Sequence, residues 1–255
     1  MDLIWAIILG AIQGFTEWLP ISSSGHLVVL QAILGVNSPT QFDIAIMLGT
    51  VFSLIIYFRK RILEILTGLL AGDETSNKYT QYIIIAGIGT VIIAVPFRPY
   101  FEYLFDFPKV ASLLIILTGL FLLFSTVRKN RQAKLDSKRA FAIGLAQGFA
   151  SAPGISRSGS TISTGILSGM HAHEAAEFSF IIGIPAMFIS SVVELFSAQS
   201  IGMQLDVILV GVITAFITGY ISIGFFLKLL KQGKIRYFAY YCIIAGTMFS
   251  IILAL

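Results

Sequence analysis

Read for apolar and polar positions, the chain is a succession of long apolar runs cut by short polar breaks. The runs are continuous rather than alternating, the pattern of membrane-spanning helices and not of a barrel. A span needs about 20 residues. Residues 41–58, 82–97, 110–127, 174–196, 207–227 and 237–255 read as spans, with Pro96 and Pro99 predicted to end the second. Residues 62–70 form an amphipathic piece inside a polar loop, and 101–108 form an aromatic-rich loop suited to an interface. Two further runs are broken. Residues 3–19 carry Gln13 and Glu17 and stop at Pro20; 24–34 is too short to cross. Residues 140–152 and 158–170 flank a second break. Each pair reads as a helix-loop-helix that dips in and returns on the same side. The pattern predicts an all-α integral membrane protein with six transmembrane helices and two re-entrant hairpins.

The two breaks are related. At an offset of 134 residues without gaps, Gly10 falls on Gly144, Gln13 on Gln147, Gly14 on Gly148 and Phe15 on Phe149. Ile21, Ser22, Ser24 and Gly25 then fall on Ile155, Ser156, Ser158 and Gly159, Asp43 on Glu177 and Gly49 on Gly183. This predicts one membrane domain, 1–255, built of two repeats, about 1–130 and 131–255. Interrupted apolar segments in corresponding positions of two halves point to a site near mid-bilayer.

Charge placement tests the count. Only 12% of residues are charged, against about 25% in soluble domains. With the hairpins re-entrant, fourteen of the 17 Lys and Arg collect on one face, in the loops holding 59–61 and 78, 128–139, and 228–236. The other face holds Arg98 and Lys109, and Arg157 is left inside. The positive-inside rule makes the basic face cytoplasmic and both termini outward. Each half then crosses an odd number of times, so the repeats are inverted and their hairpins meet from opposite faces. The net charge of +4 sits in short loops and is no nucleic-acid signal. Met1-Asp2 carries no basic region, so no cleavable signal peptide is expected. Cys242 is alone, which excludes an internal disulfide.

The second break reads Pro153-Gly154-Ile155-Ser156-Arg157-Ser158-Gly159-Ser160-Thr161. A guanidinium stays charged, so Arg157 needs a partner in an apolar setting. Glycines, hydroxyls and a helix start around it suit an anion such as phosphate. The plainer reading is a loop arginine snorkelling to headgroups. The first break reads Gln13-x-x-x-Glu17, then Pro20-Ile21-Ser22-Ser23-Ser24-Gly25-His26. Glu17 becomes a buried partner for Arg157 if the hairpins meet, and a purely structural ion pair is the alternative. Hydroxyls, a carboxylate, an imidazole and an arginine together suit phosphoryl transfer.

These residues resemble a family. Gln13-x-x-x-Glu17 resembles its (Glu/Gln)-x-x-x-Glu motif, and Pro153-Gly154-x-Ser156-Arg157-Ser158-x-x-Thr161 its Pro-Gly-x-Ser-Arg-Ser-x-x-Thr motif. The family is that of the undecaprenyl pyrophosphate phosphatases, or bacitracin-resistance proteins. The resemblance implies a multi-pass enzyme of the bacterial cytoplasmic membrane that removes the terminal phosphate of undecaprenyl pyrophosphate, recycling the lipid carrier for cell-wall synthesis. It also implies a polyprenyl diphosphate lipid as substrate, a site opening outward and a divalent cation, Mg2+ or Ca2+.

Expected roles follow. Arg157 clamps the diphosphate, with Gly154, Ser156, Ser158 and Thr161 around it; Ser158 and Thr161 are also candidate helix caps, as is Ser24. Ser23 is the hydroxyl most like the family's nucleophile, with His26 as its base, or else His26 activates water. Glu17 holds a cation or orients His26. Gln13 replaces a second motif carboxylate. Gln13, Ser22 and Gln147 support the site. Asp43 and Glu177 hold the hairpins by hydrogen bonds, and His171 and His173 lie on the surface. The rival from another class is a secondary transporter or lipid flippase using the same loops. The sequence leaves the oligomeric state open, a homodimer included.

Overall fold

The computed structural model describes residues 2–36, 38–127, 132–197 and 204–255. Arg128, Lys129 and Arg131 of the most charged loop lie outside them. The described residues form eleven helices. These are α1 (Leu3–Trp18), α2 (Ser23–Leu34), α3 (Thr40–Tyr57), α4 (Arg59–Leu70), α5 (Glu74–Leu104), α6 (Pro108–Ser125), α7 (Ser137–Phe149), α8 (Arg157–Leu167), α9 (Ala172–Ser197), α10 (Leu205–Lys231) and α11 (Arg236–Ile252). Five of them, α3, α5, α6, α9 and α10, are long and apolar enough to cross a membrane. The sixth expected crossing falls on α11, whose 17 residues sit at the lower end of what spans.

Side-chain caps set several helix starts. Asp73 accepts from Ser76 N at 2.8 Å, which holds its exposed carboxyl below the usual range, and Asp136 accepts from Arg139 N at 2.9 Å. One expectation needs correction. Pro96 and Pro99 do not end their helix; α5 runs through both and takes in 101–104 of the expected aromatic loop. Each proline removes one donor, from the carbonyls of Ile92 and Val95, while the neighbouring turns keep theirs. Arg98 and Glu102 add an i,i+4 ion pair at 2.5 Å across the same stretch.

Packing depends on close approach. Lipid tails are as apolar as leucine, so small residues that let backbones touch become the adhesive surface. Gly10 and Gly14 of α1 lie against Gly211, Ala215 and Gly219 of α10, and Ser222 Oγ donates to Gly14 O at 3.1 Å. Gly144 and Gly148 of α7 lie against Ala86, Thr90 and Ile93 of α5, and Thr90 Oγ1 donates to Gly144 O at 3.1 Å. The first helix of each hairpin thus packs on a long helix of the other half of the chain. Through the middle runs a chain of edge-on rings, Trp18 to Phe180 to Phe226 to Phe238, with centroids 5.5–5.9 Å apart.

Asp43 does tie down the end of α2: it accepts from the Ser38 hydroxyl at 2.7 Å, and Ser38 N donates to Gln31 Oε1 at 3.2 Å. Glu177 does not hold the second hairpin. It pairs with Arg61 of α4 at 2.8 Å, and Arg61 lies over the Tyr79 ring. His171 and His173 are exposed.

A side chain at Gly144 would strike the Ala86 backbone, whereas Gly87 has open space. Gly144→Val should therefore lower stability by about 1–3 kcal/mol or more, and Gly87→Ala, inside a helix with open space, should leave it unlowered or slightly raised. Thermal unfolding of the two purified variants in one detergent checks this.

Candidate active site

The tips of the two hairpins meet. A Cβ on Gly25 would lie 2.7 Å from Gly154 Cα, so the loops touch backbone to backbone. Ser158 Oγ donates to Leu19 O at 3.0 Å, joining the start of α8 to the end of α1. Each tip contains a left-handed residue, Ser22 at φ 70° and Gly154 at φ 97°. For glycine this is free, but for serine it carries backbone strain, of a kind that gathers at functional sites.

Matching devices start the two following helices. Ser22 Oγ accepts from Gly25 N at 3.2 Å and Ser156 Oγ accepts from Gly159 N at 3.0 Å. Ser22 and Ser24 hydroxyls are 3.4 Å apart, Ser156 and Ser158 hydroxyls 3.3 Å. The caps are therefore Ser22 and Ser156, not Ser24, Ser158 or Thr161. Thr161 Oγ1 bonds back to Arg157 O at 2.7 Å and meets Ser179 Oγ at 2.5 Å; with Ser158 given to Leu19, both hydroxyl protons are committed within the protein.

Glu17 is the hub. Its Oε1 accepts from Arg157 Nη2 at 2.9 Å; its Oε2 accepts from Ser23 Oγ at 2.5 Å and from Gln13 Nε2 at 3.0 Å. The ion pair is largely buried, with 12% of the Arg157 side chain and 9% of Glu17 exposed. Arg157 lies 4.9 Å over the Trp18 ring, and its Nη2 also meets Met187 Sδ at 3.0 Å. Gly183 makes room for the guanidinium, since a Cβ there would collide with Nη1. Arg157 Nε and Nη1 are buried without a hydrogen-bond partner. Two charged donors left open in a nearly dry site are costly unless an anion takes them.

His26 is not where the sequence reading put it. Its Nδ1 is 2.7 Å from the Ser22 carbonyl, which only accepts, so Nδ1 carries the proton. In the neutral ring Nε2 then accepts from the Tyr241 hydroxyl at 2.9 Å. The ring stacks on Tyr241 and meets Phe249 edge-on. Both nitrogens are engaged, and neither bonds Ser23 or Glu17. The carbonyl one turn back turns the imidazole toward α11 and leaves Ser23 to the carboxylate. Gln147 likewise faces elsewhere: its Nε2 donates to Thr90 at 3.1 Å, so it joins α7 to α5.

The model of the family described as bacitracin resistance protein BacA matches residues 6–248. The chain belongs to the BacA family. Curated relatives match along their whole length. One from Korarchaeum cryptofilum is 37% identical over 96% of this chain and 97% of its own. One from Halothermothrix orenii is 37% identical over 99% and 98%, and one from Treponema denticola 38% identical over 98% and 97%. All three are named undecaprenyl-diphosphatase.

Sequence reasoning missed several residues of the site. Trp18, directly after Glu17, was readable as a ring beside a buried cation. Met187, Tyr241 and Thr118 gave no signal, being ordinary members of apolar spans, and Gly183 showed only as the repeat partner of Gly49. Thr118 of α6 accepts from Ser156 N at 3.0 Å and donates to Gly154 O at 2.9 Å, clamping the arginine loop at two points. Thr118→Val should leave both backbone groups buried and unpaired, costing about 1–3 kcal/mol for each. A lowered melting temperature measured beside Thr247→Ala, which removes a one-turn back-bond, checks that the loss comes from the clamp.

Proposed function

We propose that the chain removes the terminal phosphate of a polyprenyl diphosphate, undecaprenyl pyrophosphate in the family's sense, giving the monophosphate lipid and inorganic phosphate. The observation that carries this is the Glu17 carboxylate shared between the Ser23 hydroxyl and Arg157, whose Nε and Nη1 remain unpaired. Full-length relatives named for that activity support it, and none of those reported is named for transport. The site serves phosphoryl transfer through positioning and charge neutralisation.

Ser23 Oγ attacks the terminal phosphorus while its proton passes to Glu17 Oε2. The bond to the bridging oxygen breaks, and the monophosphate leaves. Glu17 passes that proton to the departing monophosphate; water then attacks the phosphoserine, Glu17 takes its proton and returns it to the Ser23 oxygen, which leaves as the hydroxyl and frees inorganic phosphate. Arg157, with the first-turn amides of α8, neutralises the phosphate oxygens. His26 positions the strained Ser22 carbonyl and with it the Ser23 turn.

A divalent cation, Mg2+ or Ca2+, does not fit a site made by these residues. Among the described residues no three or more His, Cys, Asp or Glu side chains gather. Glu17, the expected ligand, already has both oxygens engaged, and Gln13 stands where a second carboxylate would be. No step of the reaction is routed through a metal.

The finer architecture is part of the same reading: six crossings, two re-entrant hairpins, and two inverted repeats, about 1–130 and 131–255, in one domain. The matched caps at Ser22 and Ser156 and the exchanged packing of α1 on α10 and α7 on α5 support it. The basic loops support both termini lying on the outer face of the bacterial cytoplasmic membrane, and the family resemblance supports a site that opens on that face.

Three measurements test these points. Arg157→Lys keeps the charge but not the planar fork, and phosphate release should fall roughly a hundred- to a thousandfold; near-normal turnover would reduce Arg157 to a structural partner. Ser23→Ala and Glu17→Gln should each abolish turnover, and the double variant should be little worse, whereas His26→Ala should retain part of it. A Ser23→Ala enzyme within several-fold of the parent would leave water as the nucleophile. Ser200, a natural choice for topology labelling, lies outside the described residues. In a Cys242→Ser background, cysteines at Thr75 and Asp106, at the two ends of α5, should instead label from the inner and outer faces; labelling from one face overturns the topology.

A further inference from the structure

Away from the hairpins, the ends of α3 and α10 enclose a groove of about 360 Å³ lined by Tyr57, Gly224, Leu227, Lys228, Lys231 and Gln232. It shares no residue with the Glu17–Arg157 site. We propose that it is a headgroup site for an anionic phospholipid.

Its chemistry is sorted by height. At one end Lys228 and Lys231, one helical turn apart, offer two ammonium groups, and among the described residues neither is in an ion pair. The Gln232 amide adds a neutral donor suited to phosphodiester oxygens, and the Tyr57 hydroxyl adds a second one deeper in the groove, opposite Gly224. The floor is apolar: Leu227 is buried, and Gly224 contributes no side chain. A Cβ on Gly224 would stand 3.7 Å from the Tyr57 ring, so the glycine leaves the groove its depth. One turn further from the lysines, Tyr220 and Ile221 of α10 are exposed, and with exposed Phe225 beside Gly224 they continue the apolar wall along the span, where acyl chains would lie. A cationic rim with donors over an apolar floor continuous with a lipid-facing wall matches a phospholipid, and that wall is of no use to free phosphate. Basic pockets between spans on the positively charged side are a recurrent form of such recognition.

The test uses the full chain purified in neutral detergent, with phosphatidylglycerol or phosphatidylcholine added back and bound lipid counted by native mass spectrometry. Phosphatidylglycerol should be retained in preference to phosphatidylcholine. Lys228→Ala/Lys231→Ala should weaken that retention roughly 25-fold, about fivefold for each lysine. Gly224→Leu, which fills the floor and leaves the charges in place, should weaken it too. Phosphate release from a prenyl diphosphate should be unchanged in both variants, which separates this site from the reaction. Equal retention of the two lipids, equal retention by parent and variants, or displacement of phosphatidylglycerol by millimolar inorganic phosphate would overturn the proposal.

Discussion

Everything in the site depends on one carboxylate kept inside the membrane domain. Glu17 is tolerable there because three donors, from Gln13, Ser23 and Arg157, satisfy its two oxygens. The same contacts fix the geometry. One hairpin supplies the acid and the hydroxyl, the other the guanidinium, and the ion pair is the bond by which they recognise each other. Arg157 is in turn held by the Trp18 face and by the space at Gly183, so its unpaired nitrogens point where the packing directs them. A structural ion pair and a substrate clamp are therefore not competing accounts of this arginine. The pair with Glu17 occupies one nitrogen and leaves two for an anion.

Helix starts do the positioning. Ser23 is the first residue of α2 and Arg157 the first residue of α8. Both stand just inside a serine cap, and both reach the same carboxylate. First-turn amides point out of a helix N-terminus, so two such ends converge on the place where negative charge must be held. The hydroxyl and the guanidinium occupy equivalent places in two similar turns, and only the side-chain chemistry differs.

The helices were legible in the sequence because apolar runs in lipid have few alternatives to a helix. The helix through Pro96 and Pro99 was not, because the rule that prolines end helices is drawn from helices whose freed carbonyls can turn to water. The Glu17–Arg157 pair was readable from two isolated charges in apolar runs with a repeat that brings them together. The partner of Ser23 was not. Ser23 and His26 are three residues apart on one helix, and sequence spacing alone favours the pairing; what decides against it is the Ser22 carbonyl, turned by a left-handed backbone that nothing in Ser22-Ser23-Ser24 announces. Tyr241 and Thr118 come from spans more than 200 and 30 residues away from the groups they hold. Such contacts belong to tertiary structure and leave no local trace.

The backbone contact between Gly25 and Gly154 has a mechanical consequence. Where side chains separate two loops, rotamer changes let one move while the other stays. Here no side chain lies between them, and Thr118 braces Gly154 from behind. The two tips then behave as one stiff plate, and the distance from hydroxyl to guanidinium is set before any phosphate arrives. Little reorganisation is left for the moment of bond breaking, which is where preformed polar sites gain most of their advantage over water.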